Sequence, residues 1–282
     1  MSPETAAHET APSSEDFVAL MESLRVDPLG DGRFVARPRD RGGVIDAGSL
    51  SALVTAATAS PVDEVRAVHA DFFRAAAPGQ PVDIEVREMH RGRNLGLDIV
   101  TLTQAGRPLA AAQVSRGPTV DDLLAHALPV DLSDTSPTTA RPSERYGPHA
   151  RIAGVANPFE PESTHPPRWQ VWVNCAEASG CGTSVQSVIA FHANQYVVSA
   201  AVLPHRGFSM HDAHRGVLTV ITSSTVTFHR PVGSDWLLFD QTSTHAGGGW
   251  LYGRGEAFTD SGDLVASFTQ TAIMRRAPAP RP

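Results

Sequence analysis

Polar and apolar residues alternate along two long stretches of the chain, and the two stretches match each other in spacing. In the first, VDIEVREM is followed by His90 and Gly92 and then by GLDIVTLTQAGRPLAAAQVS. In the second, DWLLFDQTST is followed by His245 and Gly247 and then by YGRGEAFTDSGDLVASFTQ. Successive side chains of a strand point to opposite faces, so a period of two predicts strands with one face toward a core. The turns Gln104-Ala105-Gly106-Arg107 and Asp260-Ser261-Gly262-Asp263 close each stretch as a hairpin. Phe73 and Phe228 lie 155 residues apart, as do His90 and His245, while Gly106 and Gly262 lie 156 apart. Such a shared offset marks an internal repeat. Ahead of each stretch sits a helix-length apolar segment, 44–57 after Gly42-Gly43 and 185–201 after Gly180-Cys181-Gly182-Thr183. A sheet with one apolar face buries it by wrapping around such a helix. The pattern therefore predicts an α+β fold in which each half is a long helix wrapped by an antiparallel β-sheet.

Composition places the boundaries. Residues 1–16 carry neither an apolar core nor a basic start and read as a disordered tail rather than a secretory signal. Residues 17–118 form the first unit and 168–276 the second. Between them, 119–167 is rich in Pro, Ser, Thr and Asp and reads as a linker, with one or two helical turns in DDLLAHAL. Residues 277–282 are a proline-rich tail. No run approaches the ~18 apolar residues of a membrane span, so a cytoplasmic protein without a membrane partner is expected.

The charge balance narrows the chemistry. The net charge of −7 is scattered, which argues against a nucleic-acid partner. All 23 basic residues are Arg, so neither Schiff-base chemistry nor a P-loop lysine is available. Cys175 and Cys181 are too few for a disulfide framework. His205, His211 and His214 have no zinc-site spacing, so neither a metal nor another cofactor is expected.

The segment FHRPVGSDWLLFDQTSTHAGGGWLYGRGEAFTDSGDLVASFTQTAIMR closely resembles the C-terminal half of the acyl-CoA thioesterase II family. Residues 17–118 resemble its N-terminal half more weakly, through Gly42-Gly43, Phe72-Phe73-Arg74 and HRGRN followed by QAGRPL. The resemblance implies a tandem (double) hot-dog fold, assembly into a homo-oligomer, and an acyl thioester of CoA or a carrier protein as substrate. It also implies a water positioned by an Asp on the second-half helix, a Thr on the strand before FHRP and a Gln near the C-terminus. The Gln carries over to Gln270. The Asp position falls in Phe191-His192-Ala193-Asn194, where Asn194 replaces it. Counted back from FHRP without a gap, the Thr position is Ile221 and a family Asp falls on Ser223. A one-residue slip would bring Thr222 to the hydroxyl position. Since strand side chains alternate, Thr222 and Ser223 cannot both face the site, and parity favours Ser223 while residue identity favours Thr222.

Thioester hydrolysis needs a polarised water and a donor for the developing oxyanion. An Asn can hold a water but has no basic site at neutral pH. The backbone around Gly43 and Val44, ahead of the first helix, is a candidate oxyanion donor. His192 is a candidate substrate contact. Two residues apart on a helix, His192 and Asn194 diverge by about 200° and do not form a dyad. The loss of the Asp leaves two further readings open: a repurposed dehydratase, isomerase or cyclase of a biosynthetic pathway with a His base, and a non-catalytic acyl binder.

Overall fold

The computed structural model of the chain describes residues 14–40, 43–127, 129–143, 146–176, 182–212 and 216–276. Its helices are α1 (Ser14–Ser23), α2 (Ala47–Ala57), α3 (Val185–Ala193) and α4 (Val197–Val202). The first six strands are β1 (Asp27–Gly30), β2 (Arg33–Ala36), β3 (Glu64–Phe72), β4 (Val82–Arg91), β5 (Gly96–Gln104) and β6 (Arg107–Gly117). The others are β7 (Arg141–Ser143), β8 (Gly147–Ile152), β9 (Arg168–Asn174), β10 (Val217–Phe228), β11 (Trp236–Gly247), β12 (Trp250–Thr259) and β13 (Leu264–Arg276).

All thirteen strands belong to one sheet, ordered β1-β2-β4-β5-β6-β3-β10-β13-β12-β11-β9-β8-β7. The order reads as two equivalent half-sheets joined where β3 pairs antiparallel with β10. The repeat extends to the irregularities. β4 slips register between Glu88 and His90, and β11 does so between Ser243 and His245. β3 and β10 slip between Val65 and Ala67 and between Ile221 and Ser223. One aromatic anchor moves by a residue: Phe228 opposes Ala266 as Phe72 opposes Ala110, so the match to Phe228 is the buried Phe72, while Phe73 is 57% exposed.

The two long helices start and stop by the same devices. Asp46 caps α2 by accepting from Ser49 N (2.9 Å), and Ser184 caps α3 by accepting from Ser187 N (3.1 Å). Both helices are largely buried, and they pack against each other beneath the sheet. Leu50 and Leu53 of α2, Val188, Ile189 and Phe191 of α3, and Val100, Val114, Phe239 and Phe268 of the strands belong to one continuous core. The core is shared by both halves, so neither closes by itself.

The segment read as a linker is built into the second half. β7 and β8 extend its edge beyond β9. Val130, Leu132, Ala140 and Ala153 cover Trp172, Leu238 and Phe258, and Trp172 Nε1 donates to Thr135 Oγ1 (2.8 Å). Strands with large apolar side chains on both faces need a cover on each, and this segment supplies the second one. DDLLAHAL forms no helix among its described residues, and Leu123 and Leu124 lie in solvent. At the other end, α1 takes in Ser14 to Asp16 of the expected tail, whereas 1–13 and the tail 277–282 lie outside the described residues. Phe17, Leu20 and Met21 share one buried face of α1, at helical spacing, and Leu24 just after the helix is buried with them. No helix among the described residues is long and apolar enough to cross a membrane.

At Gly48 of α2 an added Cβ would meet the Gln195 side chain and lie 2.8 Å from the Phe191 carbonyl oxygen at the end of α3. A Gly-to-Ala change inside a helix ordinarily gains up to about 1 kcal/mol. Here the obstacle is backbone, and overpacking costs about 1–3 kcal/mol, so we expect Gly48→Ala to lower the midpoint of thermal or urea unfolding. An unchanged or raised midpoint would show that the helices part without cost.

Candidate active site

Three polar side chains lie on the inner face of the second half's sheet, and α3, capped by Asn194, ends over the same strands. Gln270 on β13 is 1% exposed and Gln241 on β11 is fully buried, and Gln241 Nε2 donates to Gln270 Oε1. Between them β12 presents Gly255 opposite Gln241 and Gly253 opposite Gln270. A Cβ on Gly255 would lie 2.5 Å from the Phe268 ring, and one on Gly253 would lie 2.5 Å from Val197 Cγ2. The bare strand thus lets Phe268 and α4 settle directly onto it. Ser224 on β10 is the direct cross-strand partner of Gln270 and is buried with it. Asn194 forms the C-cap of α3, and its Nδ2 donates to Ala190 O (2.9 Å). Three residues on, Val197 sits over Gly253, which brings the end of α3 above the strand segment that carries Gln270.

Asn194 Oδ1, Ser224 Oγ, Gln241 Oε1 and Gln270 Nε2 are all buried without a hydrogen-bond partner among the described residues. Each such group costs about 1–3 kcal/mol. Four together would consume much of a typical stability of about 5–15 kcal/mol. The set holds two acceptors, one donor and one hydroxyl able to act as either, which matches the needs of a water.

Of the residues singled out in the sequence, Asn194 and Gln270 lie in this set. Thr222 and Ser223 do not. Thr222 occupies the bulge in β10 and donates to Thr271 O (3.1 Å), and Ser223 opposes Thr271, so its side chain lies on the other face from Gln270. Ser224 faces inward by unbroken alternation from the buried Phe228 and Val226, and the bulge beyond it turns Ile221 to the same face. Ile221 also faces inward, packed against Val197, Ala201, Leu251 and Ala272. Gly43 and Val44 precede α2 by several residues, and Gly43 N already donates to Asp40 Oδ2 (2.8 Å). At that helix end Asp46 accepts from both Ser49 N and Leu50 N, and Ala47 and Gly48 carry the two N–H groups before them. His192 is buried in an aromatic cluster with Phe191 and Phe239, its Nδ1 2.7 Å from Tyr196 Oη.

Other reactive groups are occupied elsewhere. Burial first, then Asp240, raises the Glu256 carboxyl above its ordinary range. A perturbed carboxyl often marks a site, but Glu256 opposes Asp240, and Asp240 alternates with the inward Gln241, so both lie on the outer face, where Arg168 binds Asp240. Burial pushes the Cys175 thiol up to about 12, which leaves it protonated and inert. Cys181 and His214 lie outside the described residues, and no three His, Cys, Asp or Glu side chains among those described converge as a metal site.

Comparison with known proteins places both halves. The profile of the acyl-CoA thioesterase C-terminal domain matches residues 121–274, and that of the N-terminal domain matches residues 35–117. Human acyl-coenzyme A thioesterase 8 is 26% identical over 302 aligned positions, spanning 93% of this chain and 90% of that protein. The tesB protein of Mycobacterium avium subs paratuberculosis superposes with a TM-score of 0.73 at 22% identity, covering 93% of this chain and all of its own. The acyl-CoA thioesterase II TesB2 of Mycobacterium marinum gives 0.69 at 20%, covering 94% of this chain and all of its own. These two structures establish the double hot-dog fold.

The first half provides an internal control for the polar set. At the equivalent register positions Val68 opposes Val114 where Ser224 opposes Gln270, and Val86 opposes Val100 where Gln241 opposes Gly255. Where Gly253 opposes Gln270, Asp98 opposes Val114, and Asp98 is held by Arg116 (Nε to Oδ2, 2.6 Å). Even the helix ends correspond: Thr58 caps α2 with Oγ1 on Val54 O (2.9 Å), as Asn194 caps α3. The first half therefore fills with valines the positions where the second keeps unsatisfied amides. We expect Gln241→Met/Gln270→Met, which keeps the volume and removes the amides, to raise the melting temperature, since replacing both partners of a buried polar pair is neutral or stabilising. A clear fall would mean that the amides stabilise the fold, contrary to the burden inferred for them.

Proposed function

Since the chain belongs to the acyl-CoA thioesterase family, we propose that it hydrolyses acyl-CoA thioesters on a water held by Asn194, Ser224, Gln241 and Gln270. The observation that carries this reading is the group of four buried, unsatisfied polar atoms on the inner face of one half. Asn194 Oδ1 and Gln241 Oε1 accept from the water and orient its lone pair. Gln270 Nε2 and Ser224 Oγ offer donors to the water or to the carbonyl oxygen as it gains charge. Pre-set donors in a site shielded from solvent need no reorganisation when the tetrahedral intermediate forms.

Next to this set lies a cleft of about 420 Å³, lined by Ala201, Val202, Phe208, Trp250, Leu251 and Met274 among others. Leu251 opposes Ala272, two residues along β13 from Gln270. An acyl chain running from the carbonyl along the inner face of β13 would enter this apolar space.

The test is release of free thiol from a panel of acyl-CoAs of increasing chain length. Wild type should turn over at least one member. Asn194→Ala and Gln270→Ala should lower kcat on the order of 10²-fold, the usual effect of removing one positioned donor. Ser224→Ala should lower it less, while Ser223→Ala, on the opposite face, should leave it near wild type. Absence of thiol release from every chain length would overturn the reading, and a Ser223→Ala effect larger than that of Ser224→Ala would overturn the assignment of faces.

A further inference from the structure

The water-holding set has a chemical gap. Asn194, Gln241 and Gln270 are amides without a basic site at neutral pH, and Ser224 is a hydroxyl with no base bonded to it. Attack on a thioester requires somewhere for the proton of the water to go. Building on the hydrolytic reading above, we propose that Asp46, the N-cap carboxylate of α2 in the other half of the chain, is the general base of the reaction.

The geometry of the helix pair points to Asp46. Its Oδ2 accepts from Gln195 Nε2 (3.1 Å), and Gln195 directly follows Asn194. Gly48, two residues after Asp46, leaves no room for a Cβ beside Gln195 and the Phe191 carbonyl, so the start of α2 and the end of α3 form one crossing. The remaining donors to Asp46 are Ser49 N and Ser49 Oγ (2.9 and 3.2 Å), both on Oδ1. All of its partners among the described residues are neutral. The other buried carboxylates are neutralised instead: Asp98 is paired with Arg116 inside the first half, and Asp240 with Arg168 on the outer face. Asp46 has no arginine partner among the described residues. Asp46 is also half-buried rather than sealed.

The two ends of the helix pair sharpen the assignment. At one end the partner helix contributes the carboxylate cap Asp46, and there Asn194 and the polar strand set are found. At the other end the cap is Ser184, whose hydroxyl is taken by Ser187 (Oγ to Oγ, 2.8 Å), and the equivalent strand positions are Val68, Val86 and Val114. Carboxylate and water-holding amides thus occur at the same end of the pair. The loss of an acidic group at position 194 is made good from the opposite helix.

The step balances as follows. The water oxygen bonds to the thioester carbon while one of its protons passes to Asp46. The carbonyl oxygen carries the negative charge until the C–S bond breaks. The proton then moves from Asp46 to the departing sulfur, giving free thiol and a carboxylic acid that ionises in solution.

The test compares Asp46→Asn with wild type in the full-length protein, reading thiol release and thermal unfolding together. Asn is as good an N-cap as Asp, so the melting temperature should hold. The kcat should fall on the order of 10²-fold or more, as expected for loss of a general base, with KM unchanged. Asn194→Asp placed in the Asp46→Asn background should restore at least about a tenth of the wild-type rate, because it returns a carboxylate to the other side of the same crossing. A kcat within about threefold of wild type in Asp46→Asn overturns the proposal. So does a loss that is accompanied by a lower melting temperature and not rescued by Asn194→Asp. Failure of wild type itself to release thiol would instead sink the hydrolytic reading, so the two failures are distinguishable.

Discussion

The register between β3 and β10, from Ala67 opposite Thr227 to Asp71 opposite Ser223, joins two half-sheets that would each otherwise end in an open strand edge. An open edge is a template for unwanted pairing, and here each half removes the edge of the other. The same pairing fixes how the helices meet. With β3 and β10 side by side, α2 and α3 are brought together under a continuous sheet, and Gly48 lets them approach to backbone contact. Asp46 and Asn194 depend on that contact, and Ser224 and Gln270 stand on the two strands of the second half nearest the joint. The site is therefore a property of the fused chain and not of either half.

Much of the architecture was legible because strand alternation and the repeat are carried by many residues at once. The offset from Gly106 to Gly262 and from His90 to His245 survives small local errors, and the structure reproduces it down to matched bulges. Single positions were less legible. Phe73 matched Phe228 by letters, yet Phe72 matches it in register, because the path from Phe72 to Val86 is one residue longer than that from Phe228 to Gln241. Thr222 and Ser223 failed for a related reason. Alternation back from Phe228 and Val226 reaches Ser224, and the bulge at Thr222, which leaves no mark in composition, turns Ile221 to the same face. The covering segment 119–167 misled differently: its Pro, Ser and Thr content suits a linker, while its few apolar residues, Val130, Leu132, Ala140 and Ala153, decide its place.

One signal in the sequence was available and unused. Aligning the halves at the repeat offset sets Val86 and Val114 against Gln241 and Gln270, and the register of β3 and β10 adds Val68 against Ser224. A core position that is apolar in one copy and polar in the other is either a defect or a site. Three such exchanges on one face make the second far more economical. Gln241, which resemblance alone did not single out, is found this way.

That asymmetry also explains how the protein tolerates its site. Buried amides without partners weaken a fold, and a strained functional region persists when the surroundings over-determine it. Here the surroundings include an entire second copy of the same architecture. The first half packs valines at the corresponding positions and closes its own end with the Asp98–Arg116 pair, while the shared core ties its stability to that of the second half. Because the halves cannot unfold independently without exposing that core, stabilisation in one supports polar groups in the other. Fusion thus does more than keep two helices together: it lets one copy specialise in stability and the other in chemistry, with the carboxylate and the amides meeting where their helices cross.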